Sequence, residues 1–213
     1  MFFDSANPSI VRSVKQRDLL NTWLRLRGRT GGLPPVSEYS PARLEEEMRE
    51  LVYYVVKRNG EGYRFVIDSN GSTSAQAYGT SHNNNIGTDL HDYLPANMRP
   101  LVLPLYGECA RRALPAYTVS TVKDINGRSV VHERLLLPFF KDGLVSHLVA
   151  SLKSISEDGR FEINNLLRDP DKLPEYKLRA VIDRDLVAGQ ATREARHVAC
   201  DYPAARADDV IEI

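Results

Sequence analysis

Apolar and polar positions follow two different periods along this 213-residue chain, and the changes of period divide it into segments. Over residues 9–27, Ile10, Val14, Leu20, Trp23 and Leu24 fall close to one face of a 3.6-residue repeat, and Gly28 ends the run. That spacing predicts a helix. The run Gly31-Gly32-Leu33-Pro34-Pro35 predicts a tight loop. Ser40 as an N-cap, Pro41 behind it and the spacing of Leu44, Met48 and Leu51 predict a short helix over 41–50. From Val52 the period shortens, and residues 52–57 and 63–68 read as strands. Residues 72–77 fit a strand or a helical turn, and the polar run 79–92 reads as loop. Met98, Leu101, Val102, Leu105, Cys109 and Ala113 restore helical spacing over 97–113, where Pro104 predicts a kink or a later start. Three strand-like runs follow at 116–124, 128–140 and 144–155, with another at 176–182. The remaining tail, rich in Ala, Arg and Asp, reads as loosely held.

Four Asx-Gly pairs punctuate the strands: Asn59-Gly60, Asn70-Gly71, Asn126-Gly127 and Asp142-Gly143. Such pairs supply the positive φ angles of two-residue hairpin turns. The last two predict a three-stranded antiparallel meander with a definite register. Leu137 then opposes Leu148, Thr118 opposes Leu135, and Ser120 opposes Glu133. One face carries Thr118, Ser120, Glu133, Leu135 and Leu148 beneath the long helix. The other carries Tyr117, His132, Arg134 and His147 among apolar residues. That second face is too apolar for open water, so the helix bearing Trp23 or a second subunit is expected to cover it. One β-bulge would invert the assignment.

Bulk composition narrows the function classes. Lys plus Arg equals Asp plus Glu at 28 each, so no net field attracts nucleic acid, and paired exposed aromatics for stacking bases are lacking. Cys109 and Cys200 lack CxxC spacing, which argues for a reducing compartment. The first residues lack a basic, apolar leader and no run approaches the ~20 apolar residues of a membrane span. A cytoplasmic, membrane-free location is expected. No G-x-S-x-G, Walker loop, H-E-x-x-H or dinucleotide fingerprint occurs.

The order strand, strand, helical turns, one longer helix, then a meander resembles a PAS domain. Phe65-Val66-Ile67-Asp68-Ser69-Asn70-Gly71 resembles the opening of many PAS domains, 87–95 resembles the stretch ahead of their long helix, and 139–145 resembles their last turn. A narrower likeness is to a PAS-like family of short bacterial proteins with a Leu-x-x-Trp-x-x-Leu-Arg-Gly helix and a Glu-Arg-x-x-Leu-Pro strand. The corresponding residues are Leu20, Trp23, Leu26, Arg27 and Gly28, then Glu133, Arg134, Leu137 and Pro138. The resemblance implies an α+β fold: an N-terminal helical extension at 1–50, a PAS-like domain at 51–155, and a partly irregular C-terminal extension at 156–213.

Function expected on this basis is a stand-alone sensory or signalling module without catalytic activity, binding a protein partner or a second copy and gated by a small ligand. Tyr106, Cys109, Thr118, Ser120, Glu133 and Leu135 are its candidate ligand residues. Trp23, Tyr117, His132, Arg134 and His147 are its candidate partner interface. Glu133 serves either a ligand in a cavity or an ion pair with Arg111, Arg112 or Arg134, the second being the commoner use of a buried charge. No metal is expected, since His132 and His147 lack a third ligand at metal spacing. The resemblance places a haem-binding histidine on or near the long helix, where only His91 is close, so haem is not expected and no cofactor is named. Cys109 reads as a small core residue. The alternative is a small cavity enzyme or carrier with Glu133 as general base and Tyr106 as donor.

Overall fold

Ser13 accepts a hydrogen bond from the Gln16 amide at 3.4 Å and opens helix α1, Val14–Thr30. Gly31, at φ 67°, closes it in the left-handed conformation that favours glycine. Gly28 lies inside the helix, and Ile10 belongs to a preceding 3₁₀ turn, Pro8–Ile10. The buried face is consequently Gln16, Leu19, Leu20, Trp23 and Leu26, while Val14 is 64% exposed. The computed structural model describes residues 3–41, 48–60, 62–72, 75, 85–123, 126–141, 143–156 and 173–183. Most of the expected helix at 41–50, most of 72–77 and the tail from 184 lie outside the described residues.

The strands are β1 (Asp4–Ala6), β2 (Leu51–Asn59), β3 (Gly62–Asn70), β4 (Ala116–Lys123), β5 (Ser129–Lys141), β6 (Leu144–Ser156) and β7 (Glu175–Ile182). They form one sheet in the order β1-β7-β4-β5-β6-β2-β3. All neighbours are antiparallel except β1 and β7. Between β3 and β4 come a one-turn helix α2 (Leu90–Tyr93) and a long helix α3 (Arg99–Arg112), which continues through Pro104.

The meander forms, but its register departs from two-residue turns at both ends. Lys123 pairs with Ser129, so five residues join β4 to β5, and Thr118 faces Arg134 instead of Leu135. At the other hairpin Lys141 pairs with Leu144, then the register slips between Phe139 and Phe140 and Leu148 faces Pro138. Each one-residue change moves β5 side chains to the other face. Glu133, Leu135, Leu137 and Phe139 thus turn away from the long helix, and His132, Arg134 and Leu136 turn toward it. Gly60, Gly127 and Gly143 have positive φ; Gly71 does not. A Cβ on Gly71 would lie 2.3 Å from the Arg49 carbonyl oxygen, so glycine there permits a close backbone approach rather than a turn.

Both faces are covered. Under α3, Val102, Leu105, Tyr106 and Cys109 pack on Val52, Tyr54, Phe65, Ile67, Leu136 and Leu148. Under α1, Leu19, Leu20, Trp23 and Leu26 pack on Tyr117, Leu135, Leu137, Phe139 and Val149. The outer cover is α1, one of the two expected. No described helix is long and apolar enough to cross a membrane.

Candidate functional site

On the α3 face, the pairings Thr118–Arg134 and Ser120–His132 gather a buried polar layer at one end of an apolar core. The Arg134 guanidinium lies 5.6 Å from the Tyr106 ring centre, within cation–π range. Ser120 Oγ donates to the His132 carbonyl at 3.5 Å, and His132 Nδ1 lies 3.3 Å from Ser154 Oγ. Burial, with Arg134 second, pushes the His132 imidazole down to about 3. In β7, Arg179 faces Thr118 from the other side and stacks 4.1 Å above the Tyr176 ring.

The core beside this layer is occupied by its own side chains. Tyr106 meets Tyr54 edge-on at 5.2 Å with hydroxyls 3.3 Å apart, and Phe65 at 5.4 Å. Cys109 has no exposed surface, and burial pushes its thiol up. A surface cleft between β3 and α3 is lined by none of Tyr106, Cys109, Thr118 and Ser120.

Glu133 and Leu135 lie on the α1 side, a correction that follows from the parity of β5. Gln16 reaches down from α1 and its amide donates to the Ser151 carbonyl at 3.0 Å and the Glu133 carbonyl at 3.5 Å. Tyr117 hydrogen-bonds the Glu133 side chain and accepts the Arg12 amide at 3.2 Å. Among the described residues, Gln16 Oε1 and Glu133 Oε2 are buried without a hydrogen-bond partner. The expected ion pair is absent from this geometry: Arg111 and Arg112 bind Glu108, and Arg134 occupies the opposite face. Tyr106 and Glu133 are likewise separated by the sheet, so they do not act on one substrate.

Of the candidate interface residues, Trp23 and Tyr117 have no exposed surface and face each other's layer within the chain. Trp23 Nε1 donates to the Pro138 carbonyl at 2.8 Å. β4 begins opposite Leu136 and the 34–35 segment pairs with Phe140, so Pro138 sits in a gap of the β5 edge, where a residue without an N–H is tolerated and its carbonyl needs a donor. His132 and Arg134 are buried beneath the α3 side. His147 is half-buried, opposite Phe139, beside the Ser146 hydroxyl at 2.9 Å; burial lowers its imidazole.

Sequence reasoning missed Gln16, Ser151 and Arg179. The Ser13-x-x-Gln16 spacing is a capping-box signature and could have flagged Gln16, though its side chain serves the sheet instead. A surface cleft of about 660 Å³ was also missed; it lies between β3 and α3. At one end Asp89 caps α2 by accepting the His91 amide at 2.8 Å and holds Arg64 at 2.7 Å. At the other, Glu108 sits between Arg111 and Arg112; a hydrogen bond from Arg111 leads the causes that lower its carboxyl. Compared with protein-family models the chain matches none, and no curated protein matches it in sequence.

Proposed function

We propose that the chain is a PAS-like signalling module that works by binding another protein or a second copy of itself, with α1 as the element that carries the signal. A small ligand, where one acts, does so by favouring one position of α1 over another. What supports the reading is that its two motif segments meet across one interface. Trp23 of the helix motif donates to Pro138 of the strand motif, and Gln16, two turns earlier, reaches the Glu133 carbonyl. The element order, two strands, a one-turn helix, a longer helix and a three-stranded meander, is the order on which the PAS resemblance rests.

The α1 interface is specific yet incompletely satisfied. Two buried acceptors without donors make docking weaker than an apolar seal of the same area, because each unmade bond costs about 1–3 kcal/mol. That is the property of a cover that can be displaced. A photocrosslinking residue in place of Val14, on the exposed side of α1, tests the proposal in cells. A discrete crosslinked species, either a partner or a dimer, is expected. Crosslinks from a buried control position alone, with none from Val14, contradict it. The enzyme alternative has no comparable support, since its acid and donor stand on opposite faces.

A further inference from the structure

We infer that the outer edge of β3, together with the facing side of α3, is a docking groove for an extended peptide segment of another protein, which adds to the sheet as an eighth strand. This surface is separate from the α1 face, and the inference does not depend on the proposed function.

The edge itself is the first observation. β3 ends the sheet. Its Ile67 points both backbone groups outward: its N–H donates to Thr88 at 2.9 Å and its carbonyl accepts from Gly87 at 2.7 Å. The chain's own 87–89 segment therefore already pairs with this edge, with an antiparallel bridge between Val66 and Asp89. No register shift interrupts β3 between Gly62 and Ile67. By the two-residue period, Phe65 and Tyr63 present their N–H and carbonyl groups in the same direction. No described residue pairs with them there. The chain thus begins an added strand and leaves it at α2, whose His91 and Asp92 line the same cleft; among the described residues no strand continues along Phe65 and Tyr63.

The second observation is the opposite wall. Leu103, Pro104, Gly107, Glu108 and Arg111 line the cleft from one side of α3. Pro104 and Gly107 are the two poorest helix formers, each unfavourable within a helix, and both face the groove. Packing does not require Gly107, because a Cβ there meets nothing within 4 Å. Removing side-chain bulk from this wall keeps space above Tyr63 and Phe65, whose stacked rings form the other wall. An inward residue of the added strand would fill that space.

Charge selects among occupants. Arg64 is paired with Asp89 and Asp92, and Arg111 with Glu108, so the groove offers no excess charge to an ionic ligand. A second copy pairing antiparallel through the same edge would set Arg64 against Arg64 near the two-fold axis, and like charges directly opposite are destabilising. An uncharged segment with small aliphatic residues at alternate positions fits best.

The test pans a displayed library of random peptides against the full chain, then reads amide exchange of the chain with its most enriched peptide. The expected result is enriched sequences with alternating apolar residues, which slow exchange at the Tyr63 and Phe65 amides. Gly107→Leu, filling the groove, should weaken binding by about tenfold or more. Gly107→Ala keeps the helix and should raise the melting temperature while still weakening binding. The inference is overturned by no enrichment, by protection confined to other amides, or by Gly107→Leu binding as the parent does. It is also overturned if the Tyr63 and Phe65 amides are already protected without peptide, which would place the chain's own tail or a second copy on the edge.

Discussion

The Gln16 side chain of α1 donates to the Ser151 carbonyl of β6 at 3.0 Å, in a largely apolar interface that Trp23 also pins through the Pro138 carbonyl. This contact helps fix where the helix sits along the sheet, since sliding α1 by a turn would strand the amide. Removing it with Gln16→Ala leaves buried carbonyls without their donor. We expect a loss of about 1–3 kcal/mol, read by chemical denaturation.

Glu133→Gln should act in the opposite direction. The carboxylate oxygen Oε2 and Gln16 Oε1 are both acceptors without donors, and an amide at position 133 supplies a donor where neither exists. Unfolding free energy should stay level or rise by up to about 1 kcal/mol. A large loss would show that the negative charge of Glu133 stabilises this interface.

Trp23 is the sole tryptophan of the chain, so its fluorescence reports α1 alone. Trp23→Phe keeps most of the apolar volume but leaves the Pro138 carbonyl without its donor, a loss of about 1–3 kcal/mol. Trp23→Ala adds a cavity and should cost about 3–5 kcal/mol. Thermal unfolding of the two variants separates the hydrogen bond from the packing.

His132 predicts an acid sensitivity. The folded imidazole binds its proton only near pH 3, while the unfolded one binds near 6.5. Between those values protons favour the unfolded chain. The contribution is fully present above about pH 6.5 and is lost as the pH falls toward 3. His132→Gln should therefore flatten the decline of stability below pH 6 relative to the parent, measured by denaturant titration at each pH.

Gly71→Ala tests the close approach that replaces an expected turn. Its Cβ would meet the backbone of Met48 and Arg49, which cannot rotate away as a side chain could. A loss of about 1–3 kcal/mol is expected from the forced shift. A neutral result would mean that the 48–50 segment yields freely.

Strand and helix identities were legible because long periodic runs settle them: α3, β2 to β6 and even β7 lie where their spacing predicts, while α1 starts later than expected, at Val14, and runs past Gly28. The face of β5 was not legible. Its parity depends on single residues in two connections, the longer Asn126-Gly127 loop and the slip near Ser146, and no local preference at those sites announces either. That parity moved Glu133 and Leu135 under α1 and His132 and Arg134 under α3. Asn70-Gly71 misled for a related reason, since a glycine needed for contact and one needed for positive φ look alike in sequence. The cover over the outer face was inferable from its apolar character, whereas Gln16 within that cover was hidden by its role near the helix start.

Native mass spectrometry of the protein taken from the cells that make it tests the binding-module account most directly. The account predicts species heavier than the 24.0 kDa chain, a dimer or a complex with one partner, which dissociate when Trp23→Ala loosens α1. A bare 24.0 kDa monomer as the only species, unchanged by that substitution, would contradict it.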